Sequence, residues 1–182
     1  MTASETPPSD YRLLVPRDWF RMDLTQERWR RQLKTFVDKE SAGSGTPPEA
    51  VRSIWATLRN AAEKGVAQGA LEFFLKTESP SGSALPASLL ISLVQTPRGL
   101  APEQDEFAQE LARRRGPGSE VQCIELPAGR TVRAVTETTM DYHVHMPGGV
   151  GYLHLAFGMP LNGTKSAMGE LCDAMAHSLR WV

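Results

Sequence analysis

Three histidines carry the strongest chemical signal in this chain of 182 residues. His143 and His145 stand two apart in a stretch that reads as a strand, so both project from one face. In the next strand Leu153, Leu155 and Phe157 look like core positions, as do Tyr142, Val144 and Met146. If those two sets share a face, His143, His145 and His154 share the other. Three imidazoles on adjacent strands suit zinc or another borderline metal. A fourth ligand would come from Asp141 or Glu137. The competing reading is structural: histidines on a half-exposed sheet face, or beneath a helix that gives each a hydrogen bond.

Other chemistries find less support. Ser88, Ser92 and Ser178 lie in ordinary element positions, with no G-x-S-x-G turn to raise a nucleophile. Gly148, Gly149 and Gly151 hint at a phosphate loop, but a strand follows where a helix and a lysine are needed, so they read as hairpin residues. Glu103, Asp105, Glu106 and Glu110 form an acidic helix start, which the helix dipole favours without any active site. Cys123 and Cys172 are far apart, outside any metal spacing, and read as small buried hydrophobes. The expectation is a protein without catalysis and without a cofactor.

A second candidate surface is apolar. Met140, Met146 and Met159 fall around the ends of the last hairpin, and Trp19 and Phe20 in a loop. Methionine and aromatic side chains at loop ends suit adaptable protein binding. The alternative is that each closes the core. Trp29 and Trp55 sit in phase with helical stripes and read as core.

These residues need a scaffold, and the composition supplies one. The chain is 41% apolar and 23% charged, with a formal net charge of -1, which excludes a general attraction to nucleic acid or anionic lipid. The basic clusters Arg28/Arg30/Arg31 and Arg113/Arg114/Arg115 read as solvated helix faces. No apolar run approaches the roughly 20 residues of a spanning helix. The first residues, MTASETPPSD, do not read as a secretory signal, which makes the cytoplasm the expected compartment.

Residues 1–10 read as a disordered tail, and 11–182 as a single domain. Tyr11, Leu13 and Val15 alternate as a strand that Pro16 ends, before Trp19 and Phe20; Asp23 or Thr25 can cap the next helix. That helix, 26–39, carries Trp29, Leu33, Phe36 and Val37 on one stripe. Thr46-Pro47-Pro48-Glu49 has the pattern of a capping box opening a second helix that stops near Gly65. Strands are expected over 70–78 and 85–95, the latter central because LLISLV is nearly continuous. The loop SPSGSALP joins them. A helix over 103–115, strands over 121–126 and 130–139, a hairpin of 142–146 and 152–159, and a closing helix over 164–180 complete the order. Mostly short strand connections point to an α+β fold, a largely antiparallel sheet covered by helices on both faces.

This order, with Pro16, Trp19, Phe20 and Leu24 at the start and Leu179-Arg180-Trp181 at the end, resembles the Mog1/PsbP-like fold, most closely its uncharacterised actinobacterial members. The resemblance spans about 11–182 and implies an α/β/α sandwich that binds other proteins through its sheet or sheet edge. It carries no residue role, since its landmarks are hydrophobic and fold alone does not give function. The expected function is therefore a non-enzymatic protein-binding module, a small cytosolic adaptor or chaperone with a link to secretion. Its partner is another protein, not nucleic acid or membrane, and homodimerisation through a sheet edge is a related expectation. The alternative is metal binding at the histidine cluster.

Overall fold

The computed structural model describes residues 7–77, 87–96 and 101–182. Along the chain lie β1 (Tyr11–Arg12), β2 (Trp19–Asp23), α1 (Trp29–Ser41), α2 (Pro48–Ala67), β3 (Ala70–Lys76), β4 (Ser88–Gln95), α3 (Gln104–Arg115), β5 (Glu120–Leu126), β6 (Gly129–Val135), β7 (Thr139–His145), β8 (Gly151–Gly158), α4 (Ala167–His177) and β9 (Arg180–Trp181). Seven strands form one antiparallel sheet in the order β2-β3-β4-β8-β7-β6-β5, and β1 pairs with β9 apart from it. The architecture is α+β, with helices on both faces of the sheet.

Strand alternation divides the core in two. On one face Leu89, Ile91, Tyr142, Val144, Leu153, Leu155 and Phe157 pack under α4. On the other, Met22, Phe73 and Leu75 meet Trp29, Leu33, Phe36 and Val37 of α1. The register Phe73–Leu90–Ala156–Asp141 carries this second face across to β7, where α3 lies. An isolated helix of the 11 residues of α4 is marginal in water. Burial secures it: Cys172, Met175 and Ala176 are at most 2% exposed, and a side chain such as Met175 contributes roughly 1.5–3 kcal/mol when buried.

Ser166 caps α4 by accepting from the Gly169 amide at 3.2 Å. In that turn a Cβ on Gly169 would stand 1.9 Å from the Thr164 carbonyl oxygen. Because the obstacle is backbone, Gly169→Ala is expected to cost about 2 kcal/mol or more. Urea unfolding measures it, and a change within about 0.5 kcal/mol would show that the turn adapts.

The structure corrects several expectations. Pro16 does follow the first strand, but that strand is only Tyr11–Arg12 and it leaves the main sheet to pair with β9. Trp19 and Phe20 are not loop residues: they open β2 at the sheet edge. Trp19 is 5% exposed, and Phe20 stacks on Phe36 at 4.8 Å. Met140 and Met159 are also core, at 2% and 0% exposure, because β7 and the end of β8 carry them under α4. Met146 is half-buried.

The capping box at Thr46 does not form. Pro47 precedes Pro48 and is therefore held extended (ψ 145°), so the helix starts one residue later with no side-chain cap. The Thr46 hydroxyl pairs with Ser44 instead. Cys123 is exposed on the edge strand β5, while Cys172 is buried as expected. Of the expected tail, residues 1–6 lie outside the described residues, but Ser9 and Asp10 are hydrogen-bonded to Val182. The loop over 79–86 also lies outside the described residues.

Candidate metal centre

Cross-strand register assembles the site. His143 on β7 stands directly opposite His154 on β8, and Asp141, two residues back on β7, stands opposite Ala156. Strand alternation puts all of these on the face under α3. The small Ala156 leaves room for a diagonal reach, and His154 Nε2 comes to 2.6 Å from Asp141 Oδ1. The His143 and His154 rings stack at 4.1 Å, inclined by 11°.

Helix α3 roofs the cluster. Its acidic first turn and basic last turn complement its dipole. Gln104 Nε2 ties its start to the sheet by donating to the carbonyls of Ile124 and Thr131. Phe107 stacks on Tyr152 at 4.5 Å and leans on His143 at 5.0 Å. Arg113 and Arg114 pair with Glu110 on the solvent side, as a solvated face should. Arg115 departs from that expectation: it turns inward and donates to Asp141 Oδ2 at 2.7 Å.

Asp141 thus has a cation or an imidazole on each oxygen. Burial would raise its carboxyl, but the hydrogen bonds and charges of His154 and Arg115 outweigh that and hold it below the usual carboxylate range. His143 is the opposite case. It is 6% exposed, and neither ring nitrogen has a hydrogen-bond partner. Burial first, and then the neighbouring His154, push its pKa down to about 3, so the imidazole is neutral at physiological pH.

Asp141, His143 and His154 each offer one ligand atom, and these lie within 4.8 Å of one another. Around a tetrahedral ion with ligands at about 2.1 Å, such atoms stand roughly 3.4 Å apart. Loading would therefore draw any pair near the 4.8 Å limit inward by about 1 Å and open the 2.6 Å contact between His154 and Asp141. It also needs one ring to turn about its Cβ–Cγ bond, because the lone pairs of two stacked rings run parallel. A metal at His154 Nε2 would take the place of the hydrogen bond that this nitrogen makes to Asp141, with the ring then carrying its hydrogen on Nδ1.

The residues expected from sequence are thus only partly brought together. His143 and His154 meet; His145 does not join them, being one step further along β7, opposite Tyr152 and edge-on to its ring at 5.2 Å. Asp141 takes the third place. Glu137 lies in the turn between β6 and β7, where its carbonyl accepts from the Thr164 amide. Arg115 went unrecognised, and only the length of α3 could have singled it out from its two neighbours.

Beside the cluster a cleft of about 750 Å³ opens between α3 and the sheet, lined by His143, Val94, Pro102, Phe107 and Leu111 among others. No helix is long and apolar enough to cross a membrane among the described residues.

Compared with known proteins, the chain matches no family model and no curated protein. A solved structure that it is similar to is the solution structure of cyanobacterial PsbP (CyanoP) from Synechocystis sp. PCC 6803. The two share 12% sequence identity over 100% of this chain and 95% of that one, with a TM-score of 0.42.

Proposed function

We propose that this chain is a non-enzymatic binding protein and that Asp141, His143 and His154 hold a divalent transition metal, zinc being the first candidate. The observation that carries this reading is His143. A buried polar group without a partner costs free energy, and folded chains seldom leave one. Here the unpaired group is a neutral imidazole, the protonation state a metal requires, beside a carboxylate and a second imidazole. Two imidazoles and one carboxylate suit a borderline ion, and three protein ligands leave a coordination position open.

The test is metal content. Protein purified without an affinity tag is expected to carry close to one equivalent of metal, or to take it up after dialysis against zinc. Zinc at about 100 times its Kd should stabilise the fold by about 2.7 kcal/mol, an upward shift of several degrees in Tm. Less than about a tenth of an equivalent and no thermal shift would remove the reading.

A protein partner is the second reading. The positions first expected to bind it are largely interior, so it moves to the mouth of the α3 cleft, where Val94 is 41% exposed. An untagged pull-down comparing wild type with Val94→Glu addresses it: a partner lost in the variant supports this surface, and a partner retained removes it.

A further inference from the structure

The outer side of β5 fits a second copy of this chain. We propose that two copies pair there, β5 against β5, antiparallel about a two-fold axis at Cys123. This inference stands apart from the metal reading.

Its first ground is the edge itself. β5 ends the seven-stranded sheet, and no strand among the described residues pairs with its outer side. An open edge is a template for another strand, and native chains blunt it with proline, lysine or a bulge. β5 (EVQCIEL) has none of these, and its register with β6 runs unbroken from Glu120 to Leu126. Glu120 and Gln122 are exposed on one face, and Cys123, beside Asp105 of α3, is exposed on the other. The opposite edge, β2, is shorter and carries Arg21 and Asp23.

The second ground is where the backbone groups of β5 point. Leu126 and Gly129 close a two-residue hairpin, which makes them a hydrogen-bonded pair. The far end of β6 agrees: the Thr136 amide donates to the Thr139 carbonyl, so the even-numbered positions of β6 bond to β7 and the odd-numbered ones to β5. On β5, then, Glu120, Gln122, Ile124 and Leu126 bond to β6, while Val121, Cys123 and Glu125 turn their amides and carbonyls outward. Antiparallel strands bond where outward-turned residues stand directly opposite. One register meets that condition over the whole strand. In it Cys123 faces its own counterpart and Val121 faces Glu125 of the second copy. A slip of one residue breaks the condition, and a slip of two leaves the strand ends unpaired. The third ground is charge. In the full register Glu120 stands opposite Leu126 and Glu125 opposite Val121, so no two like charges are directly opposed.

The experiment uses the full chain, sedimented over a series of concentrations and treated separately with a short bismaleimide. Wild type should dimerise with a micromolar Kd, as small interfaces do. The reagent should link Cys123 to Cys123, since Cys172 is buried. Val121→Glu sets a carboxylate against Glu125 of the second copy at both ends of the ladder, and should raise Kd about tenfold. Adding Glu125→Val exchanges the pair, and should return Kd to within about threefold of wild type. Cys123→Pro gives a reading independent of charge. It removes an N–H that β6 does not use, so the variant should stay folded and sediment as a monomer. A wild-type chain that stays monomeric at millimolar concentration overturns the proposal. So does a dimer that survives both Val121→Glu and Cys123→Pro, or one that the bismaleimide does not link at Cys123, because its interface then lies elsewhere.

Discussion

Replacing His143 with leucine should make the metal-free protein more stable while abolishing its capacity for metal. Leucine removes two buried nitrogens that have no partner, a gain of about 1–3 kcal/mol in desolvation, and it keeps an apolar side chain against Phe107. The effect grows in acid. The folded pKa of His143, about 3, lies below the ordinary value of 6.5, so folding favours the neutral form. The stability tied to that neutral form is complete above pH 6.5 and is lost as pH falls towards 3. At pH 5 wild type should already have lost about 2 kcal/mol through this one ring. Urea unfolding at pH 7.5 and pH 5 should therefore show His143→Leu ahead at both, by a wider margin at pH 5. A variant less stable than wild type at both pH values would mean that the imidazole has partners in solution.

Asp141→Ala should do the reverse. The carboxylate is 8% exposed and answers both Arg115 and His154. Its removal leaves a partly buried guanidinium and an imidazole without their acceptor. Breaking such a pair from one side typically costs about 3–5 kcal/mol. The pH window differs from that of His143. Because the folded carboxyl titrates below its ordinary range, its contribution is present above about pH 4 and disappears as pH falls further. Wild type should thus weaken in two stages on acidification, first through His143 and then through Asp141, and the alanine variant should lack the second. Equilibrium unfolding at pH 7 measures the main effect, and a loss under about 1 kcal/mol would sink the assignment of Asp141 as the keystone of this cluster. Arg115→Gln with Asp141→Asn, singly and together, apportions the pair.

The fold was largely readable because its signals are periodic. LLISLV did mark the central strand, between β3 and β8, and the stripe of Trp29, Leu33, Phe36 and Val37 did mark α1. Periodicity also placed His143 and His154 on one face. What it could not supply was register. A strand pattern says which face a residue takes and not which neighbour it meets, so His145 stood in the expected set and Asp141 only as one choice for a fourth ligand. The pairing of His143 with His154, and the small Ala156 opposite Asp141, decided between them. Trp19 and Phe20 were misplaced for a related reason. Pro16 marks the end of a strand, but nothing local says that the chain re-enters a sheet three residues later. That edge exists only because β3, some fifty positions downstream, offers it. Arg115 was hidden by company, since three consecutive arginines look alike until a helix points one of them inward.

The short ladder between β1 and β9 has a consequence for connectivity. Ser9 and Asp10 donate to the Val182 carbonyl, and the Val182 amide donates back to Asp10. The described chain therefore comes back on itself, with residues 9 and 10 held against residue 182. A ring has no preferred starting point. A version of this sequence in which a brief linker joins those ends and the opening is moved to the exposed turn over 43–45 would keep every strand beside its present neighbours.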